Sequence, residues 1–416
     1  MEIFRMDLWE KLFLPECWQE FMEYKIEKQH ISGAEQAALE DFIKNRTYLS
    51  VLAGIGQGNS TLPLPHRKEV NKSGVSKKRV VYSFSGDFNM ILKMTAYLLF
   101  RYDDLFSNNC YAFRRSYGVK DAVRRIRCNS KIADKYSLKI DISNYFNSID
   151  VPLLLQKLEF LKARDERLFH FLKRLLTEDK AIIQESGQEV VIEEKRGAMA
   201  GIPIAPFLAN VYLMDVDRLF AEKQVLYFRY SDDILIFADS MEELEALKQE
   251  LYNKIEEHFL TLNPAKVHIS APGEAFEFLG FRFADGEVDL SDSTVQKIKA
   301  KIKRKAHALR RWQQKKNLPG ERAAKGFIRS MNRKFYDDGS GTEFSWSRWF
   351  FPCITTDTRL REVDAYMQQY IRYCVTGRHY KGNYRITYEQ MKQWGYRSLV
   401  HEYYLPHESQ HSNFRF

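Results

Sequence analysis

Between Leu226 and Phe237 the chain reads Leu-Tyr-Phe-Arg-Tyr-Ser-Asp-Asp-Ile-Leu-Ile-Phe, two runs of β-formers with a pair of acids between them. A Tyr-Ser-Asp-Asp tip joining two hydrophobic strands is the pattern of a hairpin that presents carboxylate at its turn. Neighbouring strand side chains point to opposite faces, so only one of Asp232 and Asp233 can face a given ion, and a second carboxylate must come from elsewhere. Asp141 is the candidate: it closes the short alternating run Tyr136-Ser-Leu-Lys-Ile-Asp141 and is followed by Ile-Ser-Asn-Tyr-Phe146. Carboxylates brought together this way can hold two divalent cations roughly 3.5–4 Å apart, which clamp the attacking and leaving oxygens of a phosphoryl transfer. Taken alone, the dipeptide also fits an ordinary turn and Asp141 an unrelated strand-end acid.

A third block lies between them, Arg196-Gly-Ala-Met-Ala-Gly-Ile-Pro-Ile-Ala-Pro-Phe-Leu-Ala-Asn210. In this order and spacing, Asp141 with its aromatic tail, Gly201 to Asn210 and Tyr230-Ser-Asp-Asp233 resemble the palm motifs of reverse transcriptases. The likeness is greatest to the bacterial group of retrons, group II intron proteins and defence-associated enzymes, and it runs from about Lys77 to Gly280. The C-terminal part resembles a narrower subset, the defence-associated reverse transcriptases, type 2. The resemblance implies an α+β right-hand polymerase with fingers, a palm carrying an antiparallel sheet, and a helical thumb. It implies attack of a primer 3′-hydroxyl on the α-phosphate of a deoxynucleoside triphosphate, templated by RNA.

Residue by residue, the resemblance makes Asp141, Asp232 and Asp233 the catalytic acids. Asp141, Asp232 and the backbone carbonyl of Ile142 would hold two Mg²⁺ ions, with Mn²⁺ as a substitute, and Asp233 would support them. Arg79, in Lys77-Lys-Arg-Val-Val-Tyr-Ser83, matches a basic residue on the incoming triphosphate, for which a planar guanidinium is suited. Arg114, in Tyr111-Ala-Phe-Arg-Arg-Ser-Tyr-Gly118, is expected near template or triphosphate. Phe146 matches an aromatic that blocks a ribose 2′-hydroxyl. Ala200 and Gly201 border the nucleotide, and Lys266, in Leu262-Asn-Pro-Ala-Lys266, could neutralise or protonate the leaving pyrophosphate. Two positions depart from the family pattern: Ala200 stands where Gln is usual and Ala205 where Ser is usual. Phe276-Glu-Phe-Leu-Gly280-Phe resembles the primer-grip hairpin.

The elements that must position these residues can be read from periodicity. Leu8 and Leu12 before Pro15, then Phe21, Tyr24 and Ile31, then Ala34 to Ile43, mark an N-terminal helical extension over 1–50. Gly54 to Ser60 is a break, and no phosphate loop, because no Gly-Lys-Ser/Thr follows. Fingers and palm are expected over 51–285, with helices over Phe88–Phe106, Val119–Arg127, Val151–Leu176 and Met241–His258. A basic helical thumb with an RNA-binding extension follows over 286–416. There a helix capped by Ser291, Asp292 or Ser293 buries Val295, Ile298, Ile302, Ala306, Leu309 and Trp312. Its other faces carry Lys297, Lys301, Arg304, Lys305, Arg310 and Arg311, and from 295 to 334 the only acid is Glu321 against fifteen Lys and Arg. A solvated helix mixes its signs for i,i+4 pairing, so a one-signed face points to phosphate.

The whole chain has 416 residues, 64 Lys and Arg against 55 acids, a net charge of +9 and 14% aromatics, which favours an anionic partner and suits stacking on bases. The five cysteines have no metal-ligand or disulfide spacing. No run approaches the roughly 20 apolar residues of a membrane span, which places the chain in the cytoplasm. Partners are expected to be a structured non-coding RNA encoded beside the gene, deoxynucleotides and the DNA product, in anti-phage defence. Two other readings stay open. One is an untemplated or protein-primed polymerase on the same palm; the other is a maturase-like RNA-binding protein.

Overall fold

The computed structural model describes residues 6–29, 31–56, 61–71, 78–336 and 345–405. Residues 57–60 of the glycine-rich break, and Lys77, lie outside the described residues. Two compact units divide at Glu274 and Ala275.

The first unit opens with four helices, α1 (Leu8–Lys11), α2 (Pro15–Gln29), α3 (Gly33–Lys44) and α4 (Thr47–Gly56). Pro15 sits at the start of α2, where a missing N–H costs nothing. Ser32 and Glu35 form a capping box that starts α3. Trp18, Phe21, Phe42, Tyr48 and Leu52 from these helices are buried in the unit's core. A four-stranded sheet follows, in order β2-β1-β4-β5, built from β1 (His66–Asn71), β2 (Lys78–Ser83), β4 (Lys180–Glu185) and β5 (Gln188–Glu193). Between β2 and the next strand lie α5 (Gly86–Leu99), continued by a 3₁₀ turn over Phe100–Leu105, and α6 (Val119–Arg127).

The second sheet positions the acids. Its order is β6-β7-β3-β8, all antiparallel, from β3 (Tyr136–Asp141), β6 (Leu226–Tyr230), β7 (Asp233–Ala238) and β8 (His268–Ser270). The short α7 (Tyr145–Ser148), then α11 (Ala205–Tyr212), α12 (Met214–Glu222) and α13 (Met241–Glu257) complete the unit.

The single helix expected over Val151–Leu176 is instead three: α8 (Val151–Lys157), α9 (Glu159–Lys162) and α10 (Glu166–Thr177). Asp165 causes the last break. One of its carboxylate oxygens accepts from the Leu168 N–H at 3.0 Å and caps α10, while the other accepts from the Trp9 N–H at 2.8 Å. The leucine stripe still turns inward, with Leu154, Leu158, Leu161, Leu168 and Leu172 fully buried.

The second unit begins with a three-stranded sheet, β9 (Phe276–Phe278), β10 (Phe281–Ala284) and β11 (Glu287–Leu290), in order β11-β10-β9. Three long helices pack on one another: α14 (Asp292–Lys315), α15 (Gly320–Phe335) and α17 (Thr358–Thr376). The shorter α16 (Trp346–Phe350), α18 (Tyr388–Gln393) and α19 (Leu399–Tyr404) fill the remainder. Ser291 caps α14 by accepting from the Thr294 N–H at 3.2 Å. Trp312, expected in the buried stripe, is 44% exposed. Gln313 turns inward in its place and donates to the Leu318 carbonyl, because a 3.6-residue period carries the stripe from Leu309 to position 313.

Four of the five cysteines are buried and none forms a disulfide. Among the described residues no helix is long and apolar enough to cross a membrane.

Candidate active site

The β6–β7 connection is a two-residue turn. Tyr230 pairs with Asp233, leaving Ser231 and Asp232 at the tip, and Ser231 takes φ 61°. Positive φ at the first turn position matches the right-handed twist of the flanking strands. The Asp232 carbonyl accepts from the Ile142 N–H at 3.0 Å, which ties the tip to the end of β3. Register then sets Asp141 directly opposite Asp233, so the pleat turns both carboxylates to one face. Asp232 lies in the turn and not on the strand, so the turn and not the pleat sets the direction of its side chain.

The three acids act on one another electrostatically. Burial pushes the Asp232 carboxyl above its ordinary value, and the nearby Asp141 charge adds to the rise, against its own backbone N–H, Arg79 and Lys266. Burial likewise raises Asp233 to about 6, with Asp232 and Asp141 adding and Lys139 and Lys266 opposing. Asp141 is 6% exposed, and the Lys266 ammonium rests directly on it. Buried carboxylates beside one another, in a place that already attracts a cation, are a donor set of hard oxygens suited to Mg²⁺. Among the described residues no three His, Cys, Asp or Glu side chains converge on one metal position. An ion here therefore draws on two carboxylates, and the Ile142 carbonyl adds an oxygen of the same hard type.

Arg79, on β2, is exposed, and its charge reaches Asp232. The loop before α11 is held against β2 by backbone contact. The Ala200 carbonyl accepts from the Tyr82 N–H at 2.7 Å, and Gly201 takes φ +107°, where an added Cβ would lie 2.7 Å from the Tyr82 carbonyl oxygen. Gly201 thus permits a close approach to the protein's own strand β2. Gly197 does the same against Phe146, where a Cβ would meet its carbonyl oxygen at 2.6 Å. Phe146 is half-buried, with its ring 6.1 Å from that of Phe113, which in turn lies 6.2 Å from Tyr230.

Arg114 is not placed beside the acids. Its guanidinium pairs with Asp103 at 3.2 Å, donates to the carbonyls of Ser107, Cys110 and Asp103, and stacks on Tyr117 at 4.2 Å. With its side chain 3% exposed it holds the loop after α5 together. The sequence pattern, basic residues among aromatics, did not distinguish that role from phosphate binding.

Two positioning residues were not singled out in the sequence. Asn147 accepts from the Ala200 N–H at 2.8 Å and donates to the Val80 carbonyl at 3.0 Å, clamping the loop to β2. Arg229, fully buried in the middle of β6, makes a two-pronged pair with Asp217 at 2.7 and 2.5 Å and donates to the Ser231 carbonyl at 3.3 Å. A lone arginine among β-formers was the available signal, since such a residue is buried only with a partner.

In the second unit, Lys297, Arg304, Lys305 and Arg311 are exposed on α14. Lys301, half-buried, is pulled below its ordinary value by burial and by Lys334, Arg304 and Lys297, so cations from α14 and α15 gather without an opposing acid at that lysine. Arg310 belongs elsewhere: it donates to the Cys374 and Val375 carbonyls at the end of α17. Those carbonyls have no partner within their own helix, which is why a basic side chain is held there.

Residues 70–283 match the family described as reverse transcriptase (RNA-dependent DNA polymerase). The retron Ec86 reverse transcriptase of Escherichia coli is 27% identical over 106 residues, which span 24% of this chain and about a third, 33%, of that protein. Among solved structures, telomerase from Candida albicans with a fragment of telomeric RNA is similar over 85% of this chain and 68% of its own, at 12% identity and TM-score 0.45. Apo telomerase from Candida tropicalis covers 81% and 60%, at 11% identity and TM-score 0.48.

Proposed function

This chain belongs to the reverse transcriptase family, and from that membership we propose that it is an RNA-directed DNA polymerase that extends a primer 3′-hydroxyl with deoxynucleotides. The observation that carries the proposal is the juxtaposition of Asp141, Asp232 and Asp233 at one sheet end, with the charges of Arg79 and Lys266 turned toward them. Asp141, Asp232 and the Ile142 carbonyl would hold two Mg²⁺ ions, with Mn²⁺ as substitute. Bound there, such ions would activate the attacking hydroxyl and neutralise charge on the leaving oxygen.

The chain's own residues supply the positioning, which accounts for most of the catalysis in phosphoryl transfer. Arg79 grips the triphosphate. Lys266, 46% exposed, carries positive charge from Asp141 toward the departing pyrophosphate. Phe146, backed by Phe113, forms the wall that a 2′-hydroxyl would strike, which selects deoxyribose. Asn147 and Gly201 hold the Ala200 loop on β2, so that the floor under the nucleotide is set before it arrives. Resemblance of the C-terminal part to type 2 defence-associated reverse transcriptases supports a structured, gene-adjacent non-coding RNA as template and a role in anti-phage defence.

The test is Asp232→Ala. The turn side chain fills no core cavity, so nucleotide addition should be lost while RNA binding and melting temperature stay near wild type. Retained activity with a lowered melting temperature would sink the assignment. Sequencing the wild-type product against the co-purifying RNA separates templated from untemplated synthesis.

A further inference from the structure

A cavity of about 420 Å³ lies within the second unit, between α15 and the turn from Gln393 to Arg397. It is a built feature. The buried Asp364 carboxylate accepts from the Tyr396 and Ser398 hydroxyls, at 2.9 and 2.5 Å, and from the Leu399 and Val400 N–H groups, at 2.9 and 3.0 Å. The Asn332 amide donates to the Gly395 carbonyl at 2.7 Å and the Tyr336 hydroxyl to the Arg397 carbonyl at 3.1 Å. The turn is thereby pinned to α15 with the cavity already open, in the size range of about 300–1,000 Å³ typical of small-ligand sites.

Its lining combines flat surfaces with cations. Trp394 is half-buried, and Glu321 beside it is held below its ordinary value chiefly by Lys325, with the Trp394 indole N–H adding to that. The Arg397 guanidinium lies over the Tyr336 ring at 4.3 Å while pairing with Glu402. Along the same lip, Lys325, Arg329 and Arg333 recur every four residues on α15, steps of about 6 Å along the helix axis, comparable to successive phosphates on a strand. Lys325 is paired with Glu321, whereas Arg329 and Arg333 are exposed with no acidic partner among the described residues. A flat slot beside unpaired guanidinium groups fits a base with its phosphates, because unstacked bases bind on aromatic rings and guanidinium planes.

We propose that this cavity binds an unpaired nucleotide of the RNA, its base between Trp394 and Arg397 and its flanking phosphates on Arg329 and Arg333. The site rests on the RNA-binding role of this unit and adds a discriminating function: it senses single-stranded RNA, where the α14 face senses phosphate alone. A duplex cannot use it, since its bases stay stacked.

The test uses the full chain, a labelled twelve-nucleotide single-stranded RNA and a blunt RNA duplex, with affinities measured across a salt series. Arg329→Glu/Arg333→Glu alters two exposed side chains with no acidic partner among the described residues; Trp394→Ala removes the stacking surface; Lys301→Glu/Lys305→Glu on α14 is the comparison. The arginine pair should lose about tenfold or more on the single strand and flatten its salt slope by about 1.4, with duplex binding nearly unchanged. Trp394→Ala should lose affinity with an unchanged slope, and a 4-thiouridine in the wild-type complex should crosslink to the peptide holding Trp394. The α14 pair should weaken both RNAs. Equal loss on both RNAs in the arginine pair, or no loss and no crosslink, overturns the pocket while leaving RNA binding by this unit intact. Wild-type protein that binds neither RNA overturns the RNA-binding reading itself.

Discussion

Asp233 and Phe146 show how a single side chain's surroundings set its chemistry. Asp233 has a folded-state pKa near 6 against an ordinary 3.8, so the folded protein holds that proton more tightly than the unfolded chain does. In EDTA, stability should be full below the ordinary value, fall as pH rises toward about 6, and level off above it, a loss of at most about 3 kcal/mol. Asp233→Asn should remove that slope in thermal melts, and Mg²⁺ should shrink it in wild type by repaying the buried charge. A pH-independent melt in EDTA would mean that the carboxylate is solvated. Phe146 is half-buried among aromatic rings, so core packing and sugar discrimination both fit its position. Phe146→Ala should raise kcat/KM for ribonucleotides relative to deoxyribonucleotides by about tenfold or more, the consequence of removing a steric wall worth at least about 1.4 kcal/mol. An unchanged ratio would assign the ring to the core alone.

At the scale of elements, the hairpin is held by a polar anchor. The Arg229–Asp217 pair is completely buried between β6 and α12, and Arg229 also donates to the Ser231 carbonyl at the turn. Removing one partner strands the other's charge, so Arg229→Met should cost about 3–5 kcal/mol of stability and reduce activity by loosening the tip that carries Asp232. Arg229→Met/Asp217→Leu should recover part of the stability, although the Tyr227 hydroxyl loses its acceptor. Denaturant unfolding of the single and double variants checks this, and an undestabilised single variant would mean that the pair is not closed. The loop at Ala200 follows the same pattern: Asn147 and the Gly201 backbone make its position a property of β2 as much as of the loop.

At the scale of the whole molecule, the three candidate catalytic acids lie at one sheet end of the first unit, whereas the fifteen Lys and Arg between 295 and 334 lie in the second. Lys301, Arg304 and Lys305 stand near or on the face where α14 and α15 bring like charges together. Charge reversal at all three should weaken RNA binding and flatten the dependence of log K on log salt by about 2–3, since each neutralised phosphate contributes roughly 0.7–0.9. Extension of a saturating artificial primer-template should survive better than synthesis on the bound RNA. Unchanged affinity and slope would make this face a solvated surface.

Local pattern determined a good deal on its own. The hairpin tip at Tyr230-Ser-Asp-Asp233, the strand ending in Asp141, the helices over Val119–Arg127 and, to within a residue, Met241–His258, and a cap among Ser291, Asp292 and Ser293 were all legible, because turn chemistry and periodicity act within a few residues. Family motifs added the order in which the acids occur. What tertiary structure alone decided was which polar residues are consumed internally. Arg114 and Arg310 look like phosphate ligands in sequence, yet Arg114 pairs with Asp103 and binds carbonyls of its own loop, and Arg310 donates to carbonyls at the end of α17. Asp165 splits a helix because Trp9, far away in the chain, needs an acceptor. Gly201 is required by the strand that crosses it, and Gln313 displaces Trp312 because the helical period drifts against its packing partner. Hydrogen-bond demand from distant backbone is invisible to a local pattern, and it is what separates a side chain that binds a ligand from one that holds the fold.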